Sequence, residues 1–417
     1  MRLVHSLAPP ALTGTGLTLT LTGAERELKA ALAAFRTERL EPAARAIDAM
    51  PADAIAAPGS EWHALVADFM GLGIDVDAIY LSEDKRAGNR LKAAAFEELG
   101  RGDAGFAIGM MVAFFPYVMC RLLKRDDLAD LARGKVGCWI ATQNGRGSDV
   151  GDVEGREVLP GRVHHPDSLR ADLQGNTVIL NGSSSPWVSL GSVADVALAY
   201  LPLRRDGEWV HAADGTLESV AVFIPLDSAG VSRGAPLEKL GQKAVPQGAI
   251  HLRDVRLPAS HIVASPGEYR ESLMAALCEG NQTMGAVFTG LAQRAFDHVL
   301  EHVRTRRQGG AALIEHQLVR YRVFEMFRKI QTLRATMMQT FDYNALADDP
   351  HILASATSKI TVTEGAVEVV GEAIRLFGGR GLTPELPMEK LLRDARASLT
   401  EDGDNHLLAL ISASAFR

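Results

Sequence analysis

Two stretches of this sequence hold residue types that can do chemistry. Residues 400–405, TEDGDN, bring Glu401, Asp402 and Asp404 close together. A carboxylate here can act as a general base, and its like-charged neighbours are expected to raise the pKa of Asp402. The same acids also read as a cap on the helix expected over 405–412, where the helix dipole favours negative charge. Residues 137–150, GCWIATQNGRGSDV, begin as an apolar strand and break into a glycine-punctuated turn. Gly145 and Gly147 let the backbone approach a ligand, Ser148 adds a hydroxyl, and successive N–H groups can form an anion-binding nest. A plain hairpin turn would use the same glycines.

Three further segments carry weaker signals of the same kind. Trp187 and Ser189 follow Asn181-Gly182 and a serine-rich run, which by itself reads as a hairpin before a core Trp. Arg306 lies in a basic run, which by itself reads as a solvated helix end. Gly378, Gly379 and Gly381 form a glycine turn. Cys120, Cys138 and Cys278 lie far apart without metal-ligand spacing, so a reduced cytoplasmic setting is expected, with no metal site and no disulfide framework.

The elements that must position these residues follow from composition and periodicity. A chain of 417 residues, 47% hydrophobic and 23% charged, can bury a large core and divide into two or three domains. Its net charge of −7 argues against nucleic-acid or anionic-membrane surfaces. No basic segment followed by an apolar run marks an export signal near the N-terminus, and the first ~20 residues read as flexible. Residues 1–135 are expected to form a helical domain. Within it, Thr22 and Glu25 form a capping box, and Leu28, Leu32 and Phe35 share one face. Glu41-Pro42 marks a break, and Glu97 and Glu98 are expected to face water. The uncharged run 104–120 is read as a buried core helix rather than a membrane span. Residues 136–262 read as short strands between turn residues, giving an antiparallel barrel or sandwich. Residues 263–417 return to helix, with periodic stretches at 271–304, 314–343 and 351–376 that suffice for a four-helix bundle. The fold class expected is therefore α+β, mostly α.

Over nearly its whole length the chain resembles the acyl-CoA dehydrogenase superfamily of flavoproteins. The resemblance rests on five motifs. The strand and turn usually end T-E-P-x-x-G-S-D; here Thr142, Gly147, Ser148 and Asp149 match, while Gln143 and Asn144 replace Glu-Pro. The NGSSSPWVS segment is similar to the family's N-G-x-K-x-W-I-T, with one extra residue before Trp187 and no Lys. RRQGGAALIEHQ, from Arg306 to Gln317, matches R-x-x-x-G-x-x-I-x-x-H-Q. FGGRGLTPELPMEKLLRDA matches F-G-G-x-G…E-x-P-x-E-K-x-x-R-D. TEDGDN then aligns Asp402 with the catalytic Glu of the family's Y-E-G-T.

The resemblance implies non-covalent FAD, held by Thr142, Gly147, Ser148, Trp187 and Ser189. It also implies a homodimer or homotetramer in which Arg306, Gln317, Gly378 and Gly379 reach the FAD of a neighbouring subunit. Asp402 would take the α proton of an acyl-CoA while a hydride passes from the β carbon to the flavin. A ribityl hydroxyl and the Asp402 N–H would stabilise the thioester oxygen, and an electron-transfer flavoprotein would accept the electrons. Phe106, Met110, Met111, Phe114 and Phe115 would line the acyl pocket. Members that carry the base on an earlier helix, before an arginine, have it where Gly280 and Asn281 stand, which leaves neighbouring Glu279 as the second candidate. Two other readings stay open. One is a flavin-dependent oxidase or monooxygenase similar to nitroalkane oxidases, which use an aspartate base but carry an arginine near the position of Ala409. The other is a non-catalytic flavin or acyl-carrier binding protein.

Overall fold

The computed structural model describes residues 21–143, 145–152, 168–213, 215–348 and 351–417; the first twenty residues and Asn144, on both of which expectations fell, lie outside them. The described residues open with eight α-helices: α1 (Gly23–Phe35), α2 (Glu41–Asp48), α3 (Ala52–Ala56), α4 (Glu61–Met70), α5 (Val76–Tyr80), α6 (Lys85–Gly102), α7 (Ala104–Leu122) and α8 (Asp126–Ala132). Thr22 and Glu25 cap α1 reciprocally, and Leu32 and Phe35 are buried. The expected break at Pro42 is instead a single π-helical turn, Arg36–Leu40, that carries α1 into α2. Pro42, which has no N–H to donate, falls in the first turn of α2 directly after the π-helical turn.

A second correction concerns Glu97 and Glu98, which are buried rather than water-facing. Glu97 Oε1 accepts from Arg334 Nε at 3.0 Å and Nη2 at 2.8 Å, and Glu98 Oε1 accepts from Arg36 Nε at 2.7 Å. Burial alone would raise the Glu97 carboxyl, but Arg334, with Lys29 and Arg101, holds it below its ordinary value. Helical periodicity misses such residues because a paired carboxylate can occupy a core position. α7 is long and apolar enough to cross a membrane, yet 72% of its apolar window is buried inside the fold. Phe106 and Met110 on this helix are fully buried core residues.

The middle of the chain forms β1 (Gly137–Ile140), β2 (Arg170–Gln174), β3 (Thr177–Ser183), β4 (Val196–Arg205), β5 (Glu208–Trp209), β6 (Ser219–Pro225), β7 (Val231–Arg233), β8 (Ile250–Pro258) and β9 (Ile262–Ala264). The expected antiparallel barrel is not what these strands build. They form one open mixed sheet in the order β7-β8-β3-β2-β4-β6-β9, and β7 and β9 do not pair with each other. β1 and β2 both run parallel to β4, sharing one of its edges end to end, while β6 takes the other edge antiparallel. Alternating apolar runs and turn residues define strands equally well in open and closed sheets, and they do not show which neighbour runs parallel.

The remaining chain is α9 (Pro266–Thr305), a small hairpin of β10 (Arg307–Gln308) and β11 (Ala311–Ala312), α10 (Gln317–Leu346), α11 (Ile352–Phe377), α12 (Met388–Ala397) and α13 (Asn405–Ala413). Four long helices do pack together, but they are α9, α10, α11 and α6, the last from before the sheet. Gly100 faces the Val287 backbone and Gly290 faces the Glu97 carbonyl so closely that a Cβ at either would overlap its neighbour. These two glycines set the α6–α9 spacing.

Candidate active site

A cavity of about 1030 Å³ lies between the sheet and the C-terminal helices. Thr142, Gly147, Ser148, Trp187, Ser189 and Asp402 all line it, so the structure brings together residues spread over 260 positions of sequence. Thr142 Oγ1 lies 2.6 Å from Ser185 Oγ, which ties the end of the strand to the Trp187 segment. Gln247 Nε2 donates to the Trp187 carbonyl at 3.1 Å and to Ser189 Oγ at 3.3 Å. The Trp187 ring is left 59% exposed at the cavity mouth.

The 401–405 loop is held residue by residue. Asn281 Nδ2 donates to the Asp402 carbonyl at 3.2 Å, and Lys359 Nζ donates to the Gly403 carbonyl at 2.6 Å and to Asn405 Oδ1 at 2.7 Å. The Asp404 N–H donates to Ser148 Oγ at 3.0 Å, joining the glycine turn to this loop. The acidic residues of the run stand in different settings. Asp404 Oδ1 caps α13 by accepting from the His406 and Leu407 N–H groups. Asp402 stands in the left-handed region at φ 51°, and its Oδ2 is buried without a hydrogen-bond partner.

Burial raises the Asp402 carboxyl to about 6, with Lys359 opposing the rise. The expected cause, repulsion from Glu401 and Asp404, is not the one at work. Glu401 is itself pushed up by burial, against the pull of Lys239. Lys359 is fully buried, and its ammonium is pushed down to about 8 by that burial, with Asp402 and Glu401 pulling the other way.

Gly280 gives this arrangement its room. A Cβ there would overlap the Asp402 carboxylate. Gly280 is therefore the gap into which Asp402 fits. Glu279 turns away into a second cavity of about 630 Å³, where its Oε2 accepts from Lys92 Nζ at 2.8 Å and from Gln282 Nε2 at 2.7 Å. The two cavities share Met111, Val112 and Trp139. Met111 and Phe115, two of the five apolar residues expected in an acyl pocket, line the second.

Arg306, Gln317, Gly378 and Gly379 line neither cavity and are exposed. They sit at the end of the bundle where His302 of α9 stacks on Phe377 of α11 with ring centroids 4.2 Å apart. The sequence reading missed Lys239, Arg146 and Gln247 on the cavity wall and Lys359 beneath the loop. Lys359 left one trace: Ser355, Ser358 and Thr363, also buried, share its face of α11 and mark it as a polar stripe.

The wall fits a flat heteroaromatic ligand. Gln143 Oε1, an acceptor, and Trp139 Nε1, a donor, are buried on it without protein partners, and they suit a ring edge that alternates N–H and C=O groups. The chain is similar to several known proteins. Residues 271–416 match the family model of the acyl-CoA dehydrogenase C-terminal domain. The chain is 25% identical over 387 residues to cyclohexane-1-carbonyl-CoA dehydrogenase of Geobacter metallireducens, covering 90% of this chain and 93% of that one. Its fold is similar to butyryl-CoA dehydrogenase from Megasphaera elsdenii, with a TM-score of 0.80 at 20% identity over 96% of this chain and 100% of that one. It is also similar to a glutaryl-CoA dehydrogenase from Mycobacterium smegmatis in complex with FADH2, with a TM-score of 0.75 at 21% identity over 95% of each chain.

Proposed function

Because the chain belongs to the acyl-CoA dehydrogenase superfamily, a family of FAD-dependent oxidoreductases, we propose that it oxidises an acyl-CoA thioester between Cα and Cβ with Asp402 as the base. The observation that carries this reading is the Asp402 carboxylate. It is buried, unpartnered at Oδ2, raised to about 6, and on the same cavity wall as the glycine turn. Such a group is ionised at neutral pH yet basic enough to accept a carbon-bound proton.

Thr142, Gly147, Ser148, Trp187 and Ser189 would hold non-covalent FAD in the larger cavity, with Gln143 Oε1 and Trp139 Nε1 meeting its ring edge. Bound there, FAD supplies the acceptor for the β hydride. Asp402 takes the α proton on Oδ2, and Asn281 and Lys359 fix the loop so that this oxygen stays aimed. The low-dielectric wall around the loop strengthens each of these contacts. An electron-transfer flavoprotein is the proposed electron acceptor. Purified protein should be yellow, and a panel of acyl-CoAs should bleach it without oxygen. Folded protein that takes up no FAD, or a flavin that no acyl-CoA reduces, defeats the proposal. The aspartate base favours one second reading, an oxygen-using enzyme of the nitroalkane-oxidase kind. Bleaching by a nitroalkane but by no acyl-CoA would put it first.

Two further outcomes are expected. The rate of flavin reduction should rise with pH through a limb near 6, because Asp402 must lose its proton to act. Lys359→Met removes the cation that favours the charged carboxylate, so the limb should move to higher pH; an unmoved limb in single-turnover measurements would assign it to another group. We also propose that Arg306, Gln317, Gly378 and Gly379 serve the FAD of a neighbouring subunit. Arg306→Ala should then weaken FAD binding by about 1.5–3 kcal/mol per charge-assisted hydrogen bond lost. A monomer with full FAD content by light scattering would refute this.

A further inference from the structure

We propose that the second cavity is built for an acyl chain bearing an uncharged hydrogen-bonding group, in the simplest case a hydroxyl, and not for plain hydrocarbon. The proposal deepens the reading above and rests on it, since it takes the cavity beside Asp402 to hold the acyl part of the thioester. Gly280 lines this cavity and touches the Asp402 carboxylate, so a chain with its α carbon at Asp402 can continue into it.

The near wall suits hydrocarbon: Met111, Val112 and Phe115 come from α7. The facing wall does not. There Lys92 pairs with Glu279, Gln282 Nε2 donates to Glu279, and Asn344 Nδ2 donates to Gln282 Oε1 at 2.7 Å. Tyr80 completes the wall, with Lys92 Nζ 4.7 Å above its ring. Two atoms of this network are buried without partners: Tyr80 Oη and Asn344 Oδ1. An alkyl chain against them would keep both unpaired, which is the arrangement buried polar groups avoid. A hydroxyl can accept from the tyrosine and donate to the amide oxygen. A carboxylate has no proton for Asn344, and the Lys92 charge is already matched by Glu279. The network is thus placed to choose among acyl chains, because a site made to bond a hydroxyl disfavours the analogue that lacks it.

The test measures binding apart from turnover. Asp402→Asn holoenzyme is titrated calorimetrically with hexanoyl-, octanoyl- and decanoyl-CoA, with their terminally hydroxylated counterparts, and with the corresponding dicarboxylic mono-CoA thioesters. The best hydroxylated chain should bind at least about tenfold tighter than its plain parent. Adding Tyr80→Phe or Asn344→Leu should remove most of that preference. Equal or tighter binding of the plain chains, a preference for the dicarboxylic ones, or a hydroxyl preference that survives both added changes would overturn the proposal. A hydroxyl preference in binding, together with parent enzyme whose flavin no thioester reduces, would uphold this pocket and sink the dehydrogenase reading instead.

Discussion

Asp402→Asn should slow reduction of the flavin by an acyl-CoA by about 10²–10⁴-fold, the contribution of a positioned base, while FAD content is unchanged. It should also make the protein more stable at neutral pH. The carboxyl is raised from an ordinary 3.8 to about 6, so the folded chain holds this proton more tightly than the unfolded one. Stability is therefore lost as pH climbs from about 4 to about 6, and the loss is complete above 6. Two pKa units correspond to no more than about 3 kcal/mol. Asn cannot ionise, and it tolerates the left-handed backbone at this position better than most residues. The melting temperature of the variant should exceed the parent's at pH 7 to 8, with the gap closing below pH 4. Unchanged reduction would remove Asp402 from the mechanism. Glu279→Gln makes the contrast, since its carboxylate is already bound to Lys92 and Gln282 and it should keep most activity.

Gly280→Ala is the second large effect expected. The added methyl would occupy the space of the Asp402 carboxylate, in the middle of α9 where the backbone cannot yield. The carboxylate must turn aside instead, or carry the loop with it against its bonds to Asn281, Lys359 and Ser148. Misplacing a catalytic group by about 1 Å can cost about 10²-fold, so flavin reduction should fall by about that factor. α9 should persist, because Ala favours helix more than Gly does. A variant with parental single-turnover rates would show that the carboxylate works from somewhere else.

The helical and strand regions were legible because their periodicities differ, and the β-rich runs at 176–182, 195–203, 218–226 and 249–257 form β3, β4, β6 and β8 to within two residues at each end. What periodicity could not carry was relation: that β1 and β2 lie parallel to β4, or that Glu97 is a core residue because Arg334 reaches it from 237 positions away. The site divides along the same line. Thr142, Ser148, Trp187 and Asp402 stood out by type and motif, and they meet on one wall. The residues that set their properties were far harder to read. Lys359 showed only through the polar stripe it shares, and Gly280 read as a missing base when it is the space that Asp402 fills. Burial, the main cause of the raised Asp402 pKa, belongs to the folded chain and leaves no mark on residues 400–405.

The origin of α6 decides the order in which this protein can be made. Its partners α9, α10 and α11 begin only at residue 266, so on the ribosome α6 waits for well over a hundred further residues. During that interval Glu97 lacks Arg334, and the close-packed faces at Gly100 and Gly290 have not met. Such a nascent chain exposes apolar surface that only the last third can cover, so the early helices are a natural client for a holdase chaperone. Contacts this distant in sequence also slow folding, because the connecting loop must close before they contribute. A chain that terminates early would therefore lose the seating of its first helices along with the 401–405 loop.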